Sequence, residues 1–218
     1  TKAKEKLLHW GAAEEKIAVS FLTVPTEPFL EIQRAPEPGR ILYVGRISHE
    51  KGLDLLVEAL AKTQTPCCLR VVGNDVGGEE RLVKEKIEAL GLGDRVEFLG
   101  YREGQALLEE YSRASLLAVP SRSDCFGLIL VEAGCAGVPI VASRYADGAY
   151  DVIEPGVNGL IADPEKPEEF AACLDALLTQ QLPADSMREA LGEKFSFRLA
   201  AHGYAQALKI VEGGGKHG

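Results

Sequence analysis

The chain has 218 residues, 46% of them hydrophobic and 26% charged, with 24 Lys and Arg against 33 Asp and Glu for a net charge of −9. That is the composition of an ordinary globular protein, one good-sized domain or two small ones, and not of a disordered or collagenous chain. The acidic balance argues against a nucleic-acid backbone or an anionic membrane surface as main partner, and no run approaches the roughly 18 apolar residues of a membrane span.

The opening Thr1-Lys2-Ala3-Lys4-Glu5-Lys6 lacks the apolar core of a signal peptide and does not start with Met, so a soluble piece of something longer is expected. Residues 1–24 read as one helix (Thr1–Trp10), a turn at Gly11-Ala12-Ala13 and one strand, Ile17–Val24. Pro25, Pro28, Pro36, Pro38 and Gly39 then punctuate a linker that continues neither element. Short apolar runs follow at Ile41–Val44, Leu69–Val72, Val96–Leu99, Leu116–Val119, Ile140–Ala142 and, more weakly, Leu160–Ala162. Helical patterns lie between them near 53–63, 79–90, 104–113, 127–136 and 167–179. This alternation predicts an α/β fold, a doubly wound parallel sheet covered on both faces in three α/β/α layers. Phe197, Ala201, Tyr204, Leu208 and Val211 mark an amphipathic helix in need of a surface. Gly213-Gly214-Gly215 is expected to stop it, leaving 213–218 as a disordered tail. Five cysteines (67, 68, 125, 135 and 173) form no C-x-x-C pair and read as reduced, mostly buried thiols of a cytoplasmic protein.

In open parallel sheets ligands bind beyond the carboxyl ends of the strands. Those ends are rich in glycine and polar residues: Gly45-Arg46, Gly73 through Gly78, Gly100-Tyr101-Arg102, Pro120 through Phe126, and Ser143 through Gly148. No P-loop motif and no G-x-G-x-x-G stands among them, which argues against a P-loop nucleotidase and a nicotinamide dehydrogenase. No Asp-x-Asp pair is placed to carry a metal-bound diphosphate. Arg46 and Lys51 lie between a strand end and the first turn of the next helix. A cation there has the wrong sign for the helix dipole but the right sign for an anion held with it; a solvated loop pair is the alternative. Glu132 has Leu128, Ile129, Cys135 and Ala136 as helical neighbours. A carboxylate in such a stripe needs a hydrogen-bond donor, and ribose hydroxyls would serve. Asp124, just before that helix, fits a cap as well as a site.

In order, V-G-R-I-S-H-E-K-G, L-R-V-V-G, R-V-E-F-L-G-Y and P-S-R-S-D-C-F-G-L-I-L-V-E-A-G-C-A-G-V-P-I-V-A-S, followed by V-N-G-L-I-A-D-P, resemble the C-terminal half of the family-4 retaining glycosyltransferases of the GT-B fold. The resemblance implies a Rossmann-like domain at 39–212 that binds a nucleoside-diphosphate sugar, UDP-, GDP- or ADP-linked, without a further cofactor or metal. Residues 1–38 would be the last helix and strand of a missing N-terminal acceptor domain plus the linker. By this likeness Arg46 and Lys51 neutralise the diphosphate and, with Asp124, serve catalysis. Glu132 holds the ribose, and the backbone around Tyr101 and Arg102 reads the base. Gly45 and Gly73 approach the donor, and Phe126, Gly127, Leu128 and Ile129 offer main-chain amides. The leaving phosphate helps deprotonate an acceptor glycan, lipid or small molecule, with retention of configuration. Three positions depart from the pattern: Asp124 replaces the first Glu of E-x7-E, Asp147 replaces a glycine, and Asp151 replaces a glutamate. The first departure keeps open a non-catalytic nucleotide-sugar-binding module, and a nucleotide-sugar epimerase domain is a third, weaker alternative.

Overall fold

The computed structural model of the protein describes residues 1–180 and 182–214. Six strands, β1 (Arg40–Val44), β2 (Cys68–Val72), β3 (Val96–Gly100), β4 (Leu116–Val119), β5 (Ile140–Ser143) and β6 (Gly159–Ala162), form one sheet in the order β3-β2-β1-β4-β5-β6. Every pairing is parallel. The helices are α1 (Lys2–His9), α2 (Glu27–Leu30), α3 (Leu53–Leu60), α4 (Glu79–Ala89), α5 (Gly104–Arg113), α6 (Leu128–Ala136), α7 (Ala149–Val152), α8 (Pro167–Thr179), α9 (Arg188–Lys194) and α10 (Phe197–Gly214).

The continuous apolar runs of β4 and β5 are buried at every residue, because both sheet faces are covered there, whereas the edge strand β3 is half exposed. Two apolar clusters result. One joins Leu53, Leu56, Leu60, Val83, Ile87, Phe170 and Leu174, so α3, α4 and α8 cover one face. The other joins Phe29, Tyr111, Leu130, Val131, Leu191 and Phe195, from α2, α5, α6, α9 and the residue after it. The three-layer doubly wound architecture is therefore present as expected.

Three expectations are corrected. Ile17–Val24 forms no strand. It lies along α9 and α10 instead: Ser20 Oγ donates to the Ala200 carbonyl at 3.0 Å, the Thr23 hydroxyl donates to the Phe195 carbonyl, and Phe21 packs edge-on against Phe195. The proline-rich linker holds a short helix, α2, whose Pro28 sits in the first turn, where a missing N–H costs nothing. It is also pinned to the end of α5, with the Ala35 and Glu37 amides donating to the carbonyls of Ser112 and Arg113. Finally, Gly213 and Gly214 continue α10, since a terminal helical turn tolerates glycine's modest penalty; residues 215–218 lie outside those described.

α10 leaves its apolar face open. Phe197, Tyr204, Leu208 and Val211 are 58–74% exposed, while Ala200 and Gly203 are buried. A Cβ at Gly203 would stand 2.6 Å from the Val19 carbonyl oxygen, so small residues let the helix approach the 17–24 segment.

Candidate functional site

The strand order reverses direction between β1 and β4, the switch point where a parallel sheet opens a crevice. A cavity of about 300 Å³ lies there, the lower end of the range for small-molecule sites. Its walls come from the end of β1 (Tyr43, Val44, Gly45), the end of β4 with its following loop (Ala118 through Ser121, then Asp124 through Gly127), the start of α6 (Leu128, Ile129), Lys51 and Leu22.

Two features give this cavity its chemistry. Lys51 closes a 3-10 turn, His49–Lys51, and its Nζ lies 2.6 Å from Asp124 Oδ2. Both side chains are largely shielded, at 21% and 11% exposure. The second feature is the start of α6, which has no side-chain cap. Asp124 Oδ1 accepts from the Phe126 amide at 3.1 Å, but the amides of Gly127, Leu128 and Ile129 meet no acceptor among the described residues. Gly127 has φ +77°, a left-handed conformation that turns the chain into the helix at that point. An ammonium group and three free amides at a helix N-terminus form an anion-binding arrangement.

Of the residues singled out in the sequence, the cavity brings together Gly45, Lys51, Asp124, Phe126, Gly127, Leu128 and Ile129. Phe126 contributes its ring, stacked edge-on with Phe195, but not its amide, which is committed to Asp124. The Arg46 guanidinium is exposed and 3.7 Å from Glu50. The Arg46 carbonyl accepts from the buried Tyr43 hydroxyl at 2.8 Å, which ties down the loop. Gly73 has a packing role: a Cβ there would stand 1.8 Å from the Gly45 carbonyl oxygen, so only glycine lets the β1 and β2 loops meet. Tyr101 and Arg102 follow the edge strand β3 and are exposed, with the Tyr101 hydroxyl donating to Glu103 at 2.8 Å. They do not line this cavity.

Nor does Glu132, one turn beyond Leu128. The donor expected for it exists within the protein: Tyr111 Oη on α5 donates to Glu132 Oε2 at 2.7 Å. Burial pushes the Glu132 carboxyl above the usual carboxylate range, and the Tyr111 hydrogen bond opposes that shift. Burial likewise pushes the fully enclosed Tyr111 phenol up, reinforced by the Glu132 charge. The cysteines also differ from expectation. All five are free, yet only Cys135 is buried, and Cys125 is exposed where it lines the cavity.

Sequence reasoning placed Ser121 in the strand-end run but missed Tyr43 and Leu22 in the lining, and missed the Arg122–Asp54 pair that ties the β4 loop to α3. Tyr43 lies inside a strand pattern that reads only as core. The Arg122 contacts join residues 68 apart, and no local pattern reports them.

No helix among the described residues is long and apolar enough to cross a membrane. The profile of the family described as "Glycosyl transferases group 1" matches residues 28–195. Among curated relatives, the chain is 28% identical over 175 residues to an uncharacterized glycosyltransferase, MJ1607, of Methanocaldococcus jannaschii, covering 78% of this chain and 45% of that one. It is 30% identical over 190 residues to the D-inositol 3-phosphate glycosyltransferase of Rhodococcus jostii, covering 81% and 41%. The chain thus spans under half the length of these relatives. Among solved structures, the lipopolysaccharide outer core galactosyltransferase WaaB superposes with a TM-score of 0.81 at 24% identity, over 94% of this chain and 58% of that one. Anabaena HepE, in complex with UDP and glucose, superposes with a TM-score of 0.76 at 23% identity, over 96% and 60%. The profile takes in both loops of the cavity and the whole of the sheet, and the chain belongs to the group 1 glycosyltransferases.

Proposed function

We propose that this chain is the donor-binding part of a retaining glycosyltransferase, taking a nucleoside-diphosphate sugar at the β1–β4 crevice. The observation that carries the reading is the meeting of Lys51 with the uncapped start of α6 in one cavity. In glycosyl transfer the bond between the anomeric carbon and the β-phosphate oxygen breaks, and negative charge builds on the departing diphosphate. Donors fixed in advance around that charge lower the barrier. The Lys51 ammonium and the amides of Gly127, Leu128 and Ile129 are such donors. The acceptor oxygen bonds to the same face of the sugar, and its proton passes to the leaving phosphate. The acceptor, a glycan, lipid or small molecule, would be held by a preceding domain, and transfer by this chain alone is expected to be weak or absent. HepE was crystallised with UDP, which favours uridine as the base, with GDP and ADP as the alternatives. Gly45 and the Asp124 carboxylate would face the sugar end, while Arg46, Glu132, Tyr101 and Arg102 would reach the nucleotide from outside the cavity described.

A thermal-shift panel of UDP, GDP, ADP and their sugars tests this. A ligand at 100 times its Kd adds about 2.7 kcal/mol of stability, so one base should raise the midpoint clearly. No shift with any member at millimolar concentration would remove the reading. The Lys51–Asp124 contact favours one alternative, a module that binds the donor without transferring its sugar, since it occupies the residue meant for the sugar. Asp124→Glu in a chain that includes the preceding domain separates the two. A gain in transfer marks an enzyme, and no transfer before or after the change marks the module.

A further inference from the structure

We propose that Arg122, oriented by Asp54, is the positioning residue that sets where Lys51 stands in the crevice. The proposal rests on the donor-site reading above. Arg122 lies in the loop after β4 and reaches the loop after β1 at two points and the first turn of α3 at two more. Its backbone amide donates to the Glu50 carbonyl at 2.8 Å. Its Nη1 donates to the His49 carbonyl at 2.7 Å and to Asp54 Oδ1 at 2.8 Å, and its Nη2 donates to Asp54 Oδ2 at 2.7 Å. His49 and Glu50 are the two residues immediately before Lys51, so their carbonyls hang from the turn that carries it.

The far side of the turn is held by a different contact. Gly52 follows Lys51 with φ +67°, and a Cβ there would stand 2.3 Å from the Pro120 carbonyl oxygen. The β4 loop therefore grips the turn before Lys51 by hydrogen bonds and after it by close backbone approach. The same loop, two residues on from Arg122, supplies Asp124, which meets Lys51 Nζ. Both ends of the Lys51 side chain are thus referenced to one loop.

Asp54, on the first turn of α3, makes the grip rigid. The two parallel bonds of a guanidinium–carboxylate fork fix orientation as well as distance. Both side chains are mostly shielded, at 21% and 22% exposure. Burial works against the Asp54 charge, but Arg122, with Lys86 at 3.6 Å, outweighs it and holds the carboxyl below its usual range. A lysine at 122 would retain charge but reach only one of the two partners, the His49 carbonyl or Asp54.

The test measures the affinity of UDP, GDP and ADP against the matching monophosphates, for the base that binds most tightly. The readout is the ratio of diphosphate to monophosphate affinity, to which Lys51 contributes and general loss of stability does not. The variants are Arg122→Gln, Arg122→Lys and Asp54→Asn, each made with Lys51 intact and with Lys51→Ala. With Lys51 intact, Arg122→Gln should lower the ratio roughly three- to tenfold, the span typical of coupled neighbours. Asp54→Asn should lower it less, and Arg122→Lys should restore part of the loss. In the Lys51→Ala background none of the three should change the ratio further, although each should lower the melting temperature as much as before. Equal loss of the ratio in both backgrounds, or no loss with Lys51 intact, overturns the positioning role and leaves Arg122 a structural staple. Where Arg122→Gln does not fold, Arg122→Lys and Asp54→Asn carry the same comparison. A ratio unmoved by Lys51→Ala itself overturns the donor-site reading, and the positioning role with it, and is distinguished by that single variant.

Discussion

The contact between Lys51 and Asp124 makes a prediction of opposite signs for its two members. Lys51 Nζ lies 2.6 Å from Asp124 Oδ2 in a cavity otherwise suited to an anion, so an incoming diphosphate competes with the carboxylate for the ammonium. Hydrogen bonds to charged groups contribute about 1.5–3 kcal/mol. Removing the ammonium by Lys51→Ala should therefore weaken nucleoside diphosphate binding, and because Asp124 already claims part of that donor, the loss belongs near the lower end. At 1.4 kcal/mol per decade this is about tenfold in Kd. Asp124→Asn acts the other way. The carboxamide keeps an oxygen for the Phe126 amide while removing a negative charge beside the phosphates. Two unit charges about 5 Å apart at an effective dielectric near 20 repel by about 3 kcal/mol. Screening at a cavity open to solvent leaves part of that, so free diphosphate should bind about three- to tenfold more tightly. The sugar-linked donor should gain less, since the carboxylate facing the sugar is lost. Calorimetry at fixed ionic strength, on the two single variants and the double, reads all of these quantities. If Asp124→Asn weakens free diphosphate as Lys51→Ala does, the carboxylate is no competitor and the electrostatic account is wrong.

Three further outcomes follow from other parts of the molecule. Glu132 is held above the usual carboxylate range by burial, so the folded state keeps its proton to higher pH than the unfolded chain. The wild type should lose stability as pH rises from the ordinary glutamate range through the raised value. Glu132→Gln should abolish that slope and be at least as stable as wild type at neutral pH, and denaturation of both across the acid range should show the difference vanishing at low pH. Arg40 and Glu110 form an ion pair between β1 and α5 with both residues over 90% buried. Glu110→Gln should cost about 3 kcal/mol, the low end for stripping one partner from such a pair, because Glu37 still holds Arg40 at 2.8 Å; urea unfolding measures it. On α10, Phe197→Ser and Leu208→Ser should stay within about 0.5 kcal/mol of wild type, whereas Gly203→Ala should lose about 1–3 kcal/mol by overpacking against Val19. The reverse order of melting temperatures would mean that α10 packs on its large residues.

The sheet and its covering helices were legible because both signals are local: unbroken apolar runs for buried parallel strands, and 3.6-residue periodicity for the helices between them. The misses have a common cause. Ile17–Val24 has strand-like composition, but a strand also needs a neighbouring edge, and this segment meets helices. For α10 the periodicity was right, and the apolar face it marks is left open. Phe197, Tyr204, Leu208 and Val211 carry the apolar bulk, yet the contact face is Ala200 and Gly203, whose small size permits the approach. In the site, Lys51 and Asp124 were legible from their places just beyond strand ends, while Gly127 came only with the family resemblance. Glu132 was legible as a carboxylate needing a donor, but the donor, Tyr111, lies 21 residues away on another helix. The pairing of Arg122 with Asp54 gave no signal, since the two stand 68 residues apart until the fold joins them.

The electrostatics of the site run against the molecule that carries it. A chain of net charge −9 repels an anion at long range, and Lys51, the one cation lining the crevice among the described residues, is already paired with Asp124. Attraction must therefore be short-ranged, which is where the uncapped amides of α6 matter. Amide donors carry no net charge, so nothing nearby needs to neutralise them, and they act only on a group close enough to accept from them. Lys51 differs in that its charge must be held somewhere before the ligand arrives. Asp124 holds it, and the Arg122 loop holds both. A crevice that is nearly neutral at a distance and rich in donors at contact is stable enough to fold, and under the proposed function it would be ordered in advance for the charge that develops when a diphosphate leaves.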